Sequence, residues 1–235
     1  MKIPKKHKLI ALIPARSGSE RLKDKNILKI KKKHLIGIAI EEAIKSKLFS
    51  EIVISSDSKR YLNISKKYGH ITEVLRPAEL SRSDSPDVDW VEHALKKVKA
   101  KEKYFTHFFI LRPSNPFRSF KTIVSAWKLF NSIKSVDSLR AVQLCKEHPG
   151  KMWLLKKRFM KSFIKSKIKG QPSYNNQYKV LPRIYVQNAC IEISKIEVVQ
   201  KYKSITGKKI VPFFTAAKEG FDINSNADYQ YAKLF

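Results

Sequence analysis

Glycine, cysteine and negative charge are all scarce in this chain of 235 residues. Seven glycines and ten prolines exclude a collagen-like repeat or a Gly/Pro-rich disordered chain. Two cysteines, Cys145 and Cys190, make neither a disulfide framework nor metal-ligand spacing. No apolar run approaches the roughly 18 residues that a membrane-crossing helix needs. The opening MKIPKKHK runs into charge without a signal-peptide cleavage pattern, so a soluble cytoplasmic protein is expected. A P-loop and the G-x-G-x-x-G dinucleotide fingerprint are both missing.

Asp and Glu number 20 against 49 Lys and Arg, a formal net charge of +29. Such a balance raises nucleic-acid binding first. The lysines are scattered, however, in KIKKK, KKVKAKEK, KKRFMKSFIKSKIK and KYKSITGKK. There is no zinc-finger spacing and no RNP-type aromatic motif on a basic strand. Most of this charge therefore reads as solvated surface, compatible with a phosphate-rich ligand, and a nucleic-acid partner is not expected.

A hydrophobic content of 43% suits a globular chain, long enough to bury a substantial core. KLIALIPA, EIVISSD, TEVLRP and HFFILRP have strand length and near-continuous apolar character. LIGIAIEEAIKS, SKRYLNISKKYG (stopped by Gly69), DVDWVEHALKKVKAKE (after Pro86) and FKTIVSAWKLFNSI read as the helices between and after them. This alternation predicts an α/β fold, a doubly wound and mainly parallel sheet, in a single domain over 1–235. SLRAVQLCK, RIYVQNACIEI and KIVPFF read as further strands, and NADYQYAKLF as a closing helix. Over 145–185 the rhythm breaks. Trp153, Phe159, Phe163, Tyr174 and Tyr178 would leave an apolar patch there, which predicts a small lobe that reaches over the partner's active site in a homodimer; the alternative is a lobe packed on its own sheet.

In open α/β sheets ligands bind outside the carboxyl ends of the strands. The loop after KLIALIPA is IPARSGSERLKDKN, where Arg16, Arg21, Lys23 and Lys25 interleave with Ser17, Gly18 and Ser19. Small residues let backbone N–H groups approach an anion, and Arg and Lys supply charge and forked donors. The loop suits a di- or triphosphate; the bland alternative is a basic surface turn.

IPARSGSERLKDKN, VISSD, LRPAELSRSDSP, HAL, LRPSNPFR, HPGKMW and FDIN follow in this order. Together they resemble the acylneuraminate cytidylyltransferase family, from about Leu9 to the C-terminus. That resemblance implies a Rossmann-like nucleotide-diphospho-sugar transferase fold. It also implies transfer of CMP from CTP to the anomeric hydroxyl of a nine-carbon sugar acid, dependent on Mg2+. By the same resemblance Ala15, Arg16, Ser17, Gly18, Ser19 and Arg21 surround the CTP phosphates. Lys25 neutralises charge as pyrophosphate leaves, and Asn26 lies near the nucleotide. Arg76 contacts the nucleotide at the cytosine edge, with Ser85 lining that pocket. The alternative for Arg76 is a surface ion pair with Glu79. Arg112, Lys151, Tyr178 and Asn188 fall in the sugar-contacting set, and Asp222 with Asn224 in the metal site. The catalytic set is Arg16, Lys25 and Asp222.

Several positions depart from the family pattern. Arg112 replaces a glutamine, Glu20 follows the loop serine, and Tyr178 and Lys179 stand where RQ precedes LP. Glu192 replaces an aromatic, and Asn224 replaces the second acid of DID. A CMP-Kdo-type enzyme, and a homologue that keeps the nucleotide pocket but is catalytically impaired, are the competing readings. For Asn224 the alternative to a metal ligand is a cap for the following helix.

Overall fold

The computed structural model describes residues 8–100, 102–103, 105–216 and 218–235. The reading of the first seven residues therefore lies outside the described residues. Among the described residues, seven strands form one sheet: β1 (Lys8–Pro14), β2 (Glu51–Ser56), β3 (Thr72–Leu75), β4 (Phe105–Ile110), β5 (Ser138–Leu144), β6 (Tyr185–Lys195) and β7 (Ile210–Phe214). Their order is β7-β5-β6-β4-β1-β2-β3. β1 pairs in parallel with β2 and β4, β2 in parallel with β3, and β6 runs antiparallel to β4. Leu12 thereby lies beside Val53 on one side and Ile110 on the other.

Six helices accompany these strands among the described residues: α1 (Leu35–Ser46), α2 (Lys59–Ser65), α3 (Asp87–Lys97), α4 (Phe120–Ser132), α5 (Ile196–Tyr202) and α6 (Asn226–Ala232). The pleat sends alternate β1 side chains to opposite faces. Leu9, Ala11 and Ile13 pack with Ile36 and Ile40 of α1 and with Ile123 and Trp127 of α4. Ile10 and Leu12 pack with Trp90, Val91 and Leu95 of α3 and with Ile196 and Val199 of α5. Helices thus cover both faces, which is why β1 reads as an unbroken apolar run. Each such buried aliphatic contributes about 1.5–3 kcal/mol relative to exposure.

The sequence boundaries hold with three adjustments. The helix expected over 58–69 is α-helical only to Ser65 and tightens into a 3-10 turn at Lys66–Tyr68. Gly69 follows at φ 143°, and a Cβ there would lie 2.5 Å from the Ile44 side chain. α3 stops at Lys97, because Lys99 takes the left-handed conformation at φ 51°. α5 falls in IEVVQKY, a stretch for which no element was expected; its β-branched residues are weak helix formers, and buried Ile196, Val198 and Val199 override that propensity by packing.

The described chain divides into two compact units: the residues up to Ala141 with Asn188–Phe235, and Val142–Gln187. The second holds two short antiparallel hairpins, Trp153–Lys156 with Phe159–Ser162 and Lys167–Ile168 with Gln171–Pro172. On the first hairpin Leu155, Phe159 and Met160 are 79%, 71% and 60% exposed. No described helix is long and apolar enough to cross a membrane.

Candidate active site

The loop from Ala15 to Leu28 leaves the carboxyl end of β1 and is tied to the end of β2. Ala15 N donates to Ser55 O (2.9 Å) and Ser56 Oγ donates to Ala15 O (2.6 Å). Ser17 gives Asp57 both its backbone N–H (2.8 Å to Oδ1) and its hydroxyl (2.7 Å to Oδ2). Asn26, buried, donates from Nδ2 to Arg16 O at 2.9 Å. Asp57 is a residue that sequence reasoning treated only as a strand end. A carboxylate directly after a strand that neighbours the loop-bearing strand is the signal that could have found it.

At Gly18 a Cβ would meet no protein atom within 4 Å. The fold itself does not require glycine there, so the space beside it is open to a ligand. Ser17, Gly18, Ser19, Glu20 and Lys23 line a cleft of about 660 Å³ together with Arg82, Ser83 and Asp84, the last paired with Arg82. Arg16 reaches across it, Nη1 to Arg82 O at 2.8 Å. Ser85 follows the lining residue Asp84 but does not itself line the cleft; its hydroxyl donates to Glu79 O at 2.9 Å.

Arg76 is only 5% exposed. Its Nε donates to Ser55 Oγ and its Nη2 to Ser55 O, both at 3.1 Å, and Nη1 lies 3.5 Å from Leu80 O. The guanidinium lies over the Trp90 ring, 4.9 Å from its centroid. Burial pushes its pKa down to about 10, partly offset by Asp57 and Asp87, which leaves it charged at neutral pH. Arg76 therefore braces the β2 terminus and the loop that packs on it, rather than pairing with Glu79 at the surface.

Near the end of the loop, Lys25 Nζ lies 3.5 Å from Asn224 Oδ1 and feels the charges of Asp222 and three arginines. Burial lowers its pKa first; Asp222 opposes this, while Arg21, Arg16 and Arg112 lower it further. Such a cluster carries surplus positive potential and favours an anion. Asp222 is positioned by neighbours on both sides of it: Asn115 Nδ2 donates to Glu219 O (2.6 Å) and Ile223 N to Ser114 O (2.9 Å). Its Oδ2 accepts from Asn224 Nδ2 (2.7 Å), and its Oδ1 is buried without a partner. An orphaned carboxylate oxygen fits a hard cation with oxygen ligands. Among the described residues no group of three His, Cys, Asp or Glu is placed to hold a metal, so ligand oxygens would have to complete a shell. Asn224 Oδ1 instead faces cations, Arg21 Nη2 at 2.9 Å and Lys25 Nζ at 3.5 Å. The cap of α6 is Ser225, whose hydroxyl accepts from Asp228 N, so Asn224 is not that cap.

Two departures noted separately in the sequence meet in space. Arg112 donates from Nε (3.0 Å) and Nη2 (2.8 Å) to Glu192 Oε1, and from Nη2 to Asp87 Oδ2 (2.6 Å). Arg140 closes on the other Glu192 oxygen. Burial disfavours the Asp87 carboxylate, yet the Arg112 charge and hydrogen bonds from Arg112 and Trp90 outweigh it and hold its pKa below the usual range. Arg118, buried, donates from Nη1 to the carbonyls of Arg112 (3.2 Å) and Cys190 (2.8 Å). It joins the two backbone segments that carry the Arg112–Glu192 pair. The residue that replaced a glutamine and the one that replaced an aromatic are thus one ion pair.

Asn188, also expected near a sugar, donates from Nδ2 to Thr215 Oγ1 (2.9 Å) and accepts the Cys190 N–H (3.1 Å). Within the smaller unit, Lys151 donates to Tyr174 O (3.1 Å) and lies over the Tyr178 ring, 5.3 Å from its centroid.

The family model described as "Cytidylyltransferase" matches residues 10–132. The N-acylneuraminate cytidylyltransferase of Escherichia coli O18:K1:H7 is 35% identical over 135 residues, 57% of this chain and 31% of that one. The CMP-N,N'-diacetyllegionaminic acid synthase of Legionella pneumophila is 34% identical over 138 residues, 58% of this chain and 60% of that one. The matches thus span less than two thirds of either relative's length. A CMP:2-keto-3-deoxy-manno-octonic acid synthetase solved with CTP superposes over 97% of both chains with a TM-score of 0.70 at 16% identity, a likeness of fold. With its phosphate-sized loop, its doubly wound sheet and a match over more than half its length, the chain belongs to the cytidylyltransferase family.

Proposed function

We propose that the chain transfers CMP from CTP to the anomeric hydroxyl of a nonulosonic, sialic-type sugar acid and releases pyrophosphate. The observation that carries this reading is the loop open at Gly18, whose Arg21 and Lys25 meet at Asn224 Oδ1 and whose Lys25 is partly buried under the positive charge of Arg21 and Arg16. In the reaction the anomeric oxygen attacks the α-phosphorus of CTP. The bond from that phosphorus to the bridging oxygen breaks, pyrophosphate departs and the hydroxyl proton passes to water. Ala15, Ser17, Gly18 and Ser19 offer backbone and hydroxyl donors to the phosphates, while Arg16, Arg21 and Lys25 neutralise charge that grows on the leaving group. Asn26 holds the loop through Arg16 O. Arg76 acts on the nucleotide indirectly, by fixing Ser55, and Ser85 acts through its bond to Glu79 O. Mg2+ would be held by Asp222 together with nucleotide oxygens, and when bound it supplies further neutralisation of the phosphates.

On the acceptor side, Arg112 and Asn188 of the larger unit are the proposed contacts. The Arg112–Glu192 pairing favours an acid other than the one a glutamine would serve, which keeps an octulosonic acid such as Kdo as the second reading. We place the reaction in the cytoplasm, where CTP is available, in a homodimer joined through the exposed apolar hairpin of the smaller unit. The test is pyrophosphate release with CTP and, in turn, sialic, legionaminic, pseudaminic and Kdo acids. Release that needs both CTP and one nonulosonic acid is expected. Release with Kdo alone selects the second reading, and no release with any acid overturns both.

A further inference from the structure

The side chain of Asn224 joins residues some 200 positions apart in the sequence. Its Oδ1 accepts from Arg21 Nη2 (2.9 Å) and lies within reach of Lys25 Nζ (3.5 Å), while its Nδ2 donates to Asp222 Oδ2 (2.7 Å). The partners dictate this orientation: a guanidinium and an ammonium only donate, and a carboxylate only accepts. Its backbone is held as well, because Asn224 N donates to Asp228 Oδ2 at 3.0 Å. A neutral amide can serve a cation pair with one end and a carboxylate with the other. A carboxylate at 224 could not donate to Asp222, and two acids at alternate positions would repel until a cation came between them. Asn224 also lies outside residues 10–132, the span that the family model matches.

We propose that Asn224 is a positioning residue that sets Arg21 and Lys25 for a polyphosphate before any metal is bound. Its amide takes on the neutralising contact to Asp222 Oδ2 and leaves Asp222 Oδ1 open. This rests on the nucleotide reading above for the identity of the polyphosphate, as the triphosphate of CTP. As a consequence the chain binds its nucleotide in the absence of divalent cations, which a pair of acids at 222 and 224 would oppose.

Isothermal titration calorimetry of the full chain in EDTA tests this, with CTP and with inorganic tripolyphosphate as separate probes. Asn224→Ala is expected to weaken metal-free binding of both about tenfold, the worth of hydrogen bonds to charged groups. Asn224→Asp is expected to weaken metal-free binding at least as much and to recover when Mg2+ is added, which the alanine variant does not. Arg21→Ala, at an exposed side chain, gives a second route: combined with Asn224→Ala it should cost less than the product of the two single effects. Metal-free binding by Asn224→Ala within about twofold of wild type overturns the inference, as does a defect that appears only with Mg2+, which would make Asn224 a metal ligand. Tripolyphosphate binding that depends on Asn224, with CTP no better bound, leaves the inference standing and removes the nucleotide reading. CTP bound tightly and unaffected at 224 does the reverse.

Discussion

Replacing Glu192 by glutamine should be among the most destabilising single changes in the larger unit. The Glu192 side chain is 5% exposed and meets Arg112 and Arg140, whose side chains are 26% and 8% exposed. Glutamine keeps the shape but removes the charge, which strands Arg140 in a site that water barely reaches. Breaking a buried pair from one side costs about 3–5 kcal/mol, because the remaining charge is uncompensated. Arg112 can still pair with Asp87, which favours the lower end, about 3 kcal/mol. For a chain of this size that is a fall in melting temperature of about 6–12 °C. Arg112→Gln should cost less, about 1–2 kcal/mol, because Glu192 keeps Arg140, and Asp87, though it loses its cation, is partly exposed and keeps the Trp90 N–H. The double variant should lose less than the sum, since the second change removes an interaction the first has already broken. Urea unfolding, with thermal unfolding as a check, measures all three. A Glu192→Gln midpoint unchanged from wild type, or strictly additive losses, would refute the reasoning and mark the cluster as a surface-like ion pair.

Arg16→Ala and Lys25→Ala should each cut kcat/KM for CTP by about 100-fold or more, with melting temperature little changed; steady-state pyrophosphate release checks this. Gly18→Ala should leave stability within about 0.5 kcal/mol of wild type, since its Cβ meets no protein atom, yet weaken CTP binding, which calorimetry measures. Asp87 and Asp228 should both contribute to acid lability. Burial opposes their ionisation, but Arg112 at Asp87, and the Asn224 and Ser225 N–H groups with the Ser225 hydroxyl at Asp228, lower their pKa values. Their folded pKa values lie below the unfolded value near 3.9, so this stability is complete above about pH 4 and is lost as pH falls below it. Asp87→Asn should therefore flatten the acid limb of a stability-versus-pH curve. Light scattering at micromolar concentration should give twice the chain mass, and Phe159→Glu with Met160→Lys should return it to the monomer; a monomeric, fully active wild type removes the dimer.

Strand and helix identity was legible because burial on two faces writes itself as continuous apolar runs, and burial on one face as a helical period. α1 and β2 appear where LIGIAIEEAIKS and EIVISSD put them. IEVVQKY was not legible, because its β-branched residues state a local preference that packing against the sheet reverses. Both Arg112 and Glu192 were visible as departures, but each looked like a separate change to an acceptor pocket. Their distance in sequence hides the 2.8 Å between them.

The sequence alone determined the α/β class, the loop of small residues and cations after the first strand, and the family, since each follows from local pattern or ordered short motifs. What those cations face was settled by contacts between distant segments. Arg76 turned out to be a buried brace rather than a surface partner of Glu79, and Asp57 the anchor of Ser17. Asn224 proved to be the link between Asp222 and two cations of a loop at the other end of the chain. The physical reason is that a side chain's role depends on which donors and acceptors reach it. The sheet brings those together from segments that share no local pattern, so no window of sequence contains both halves of the interaction.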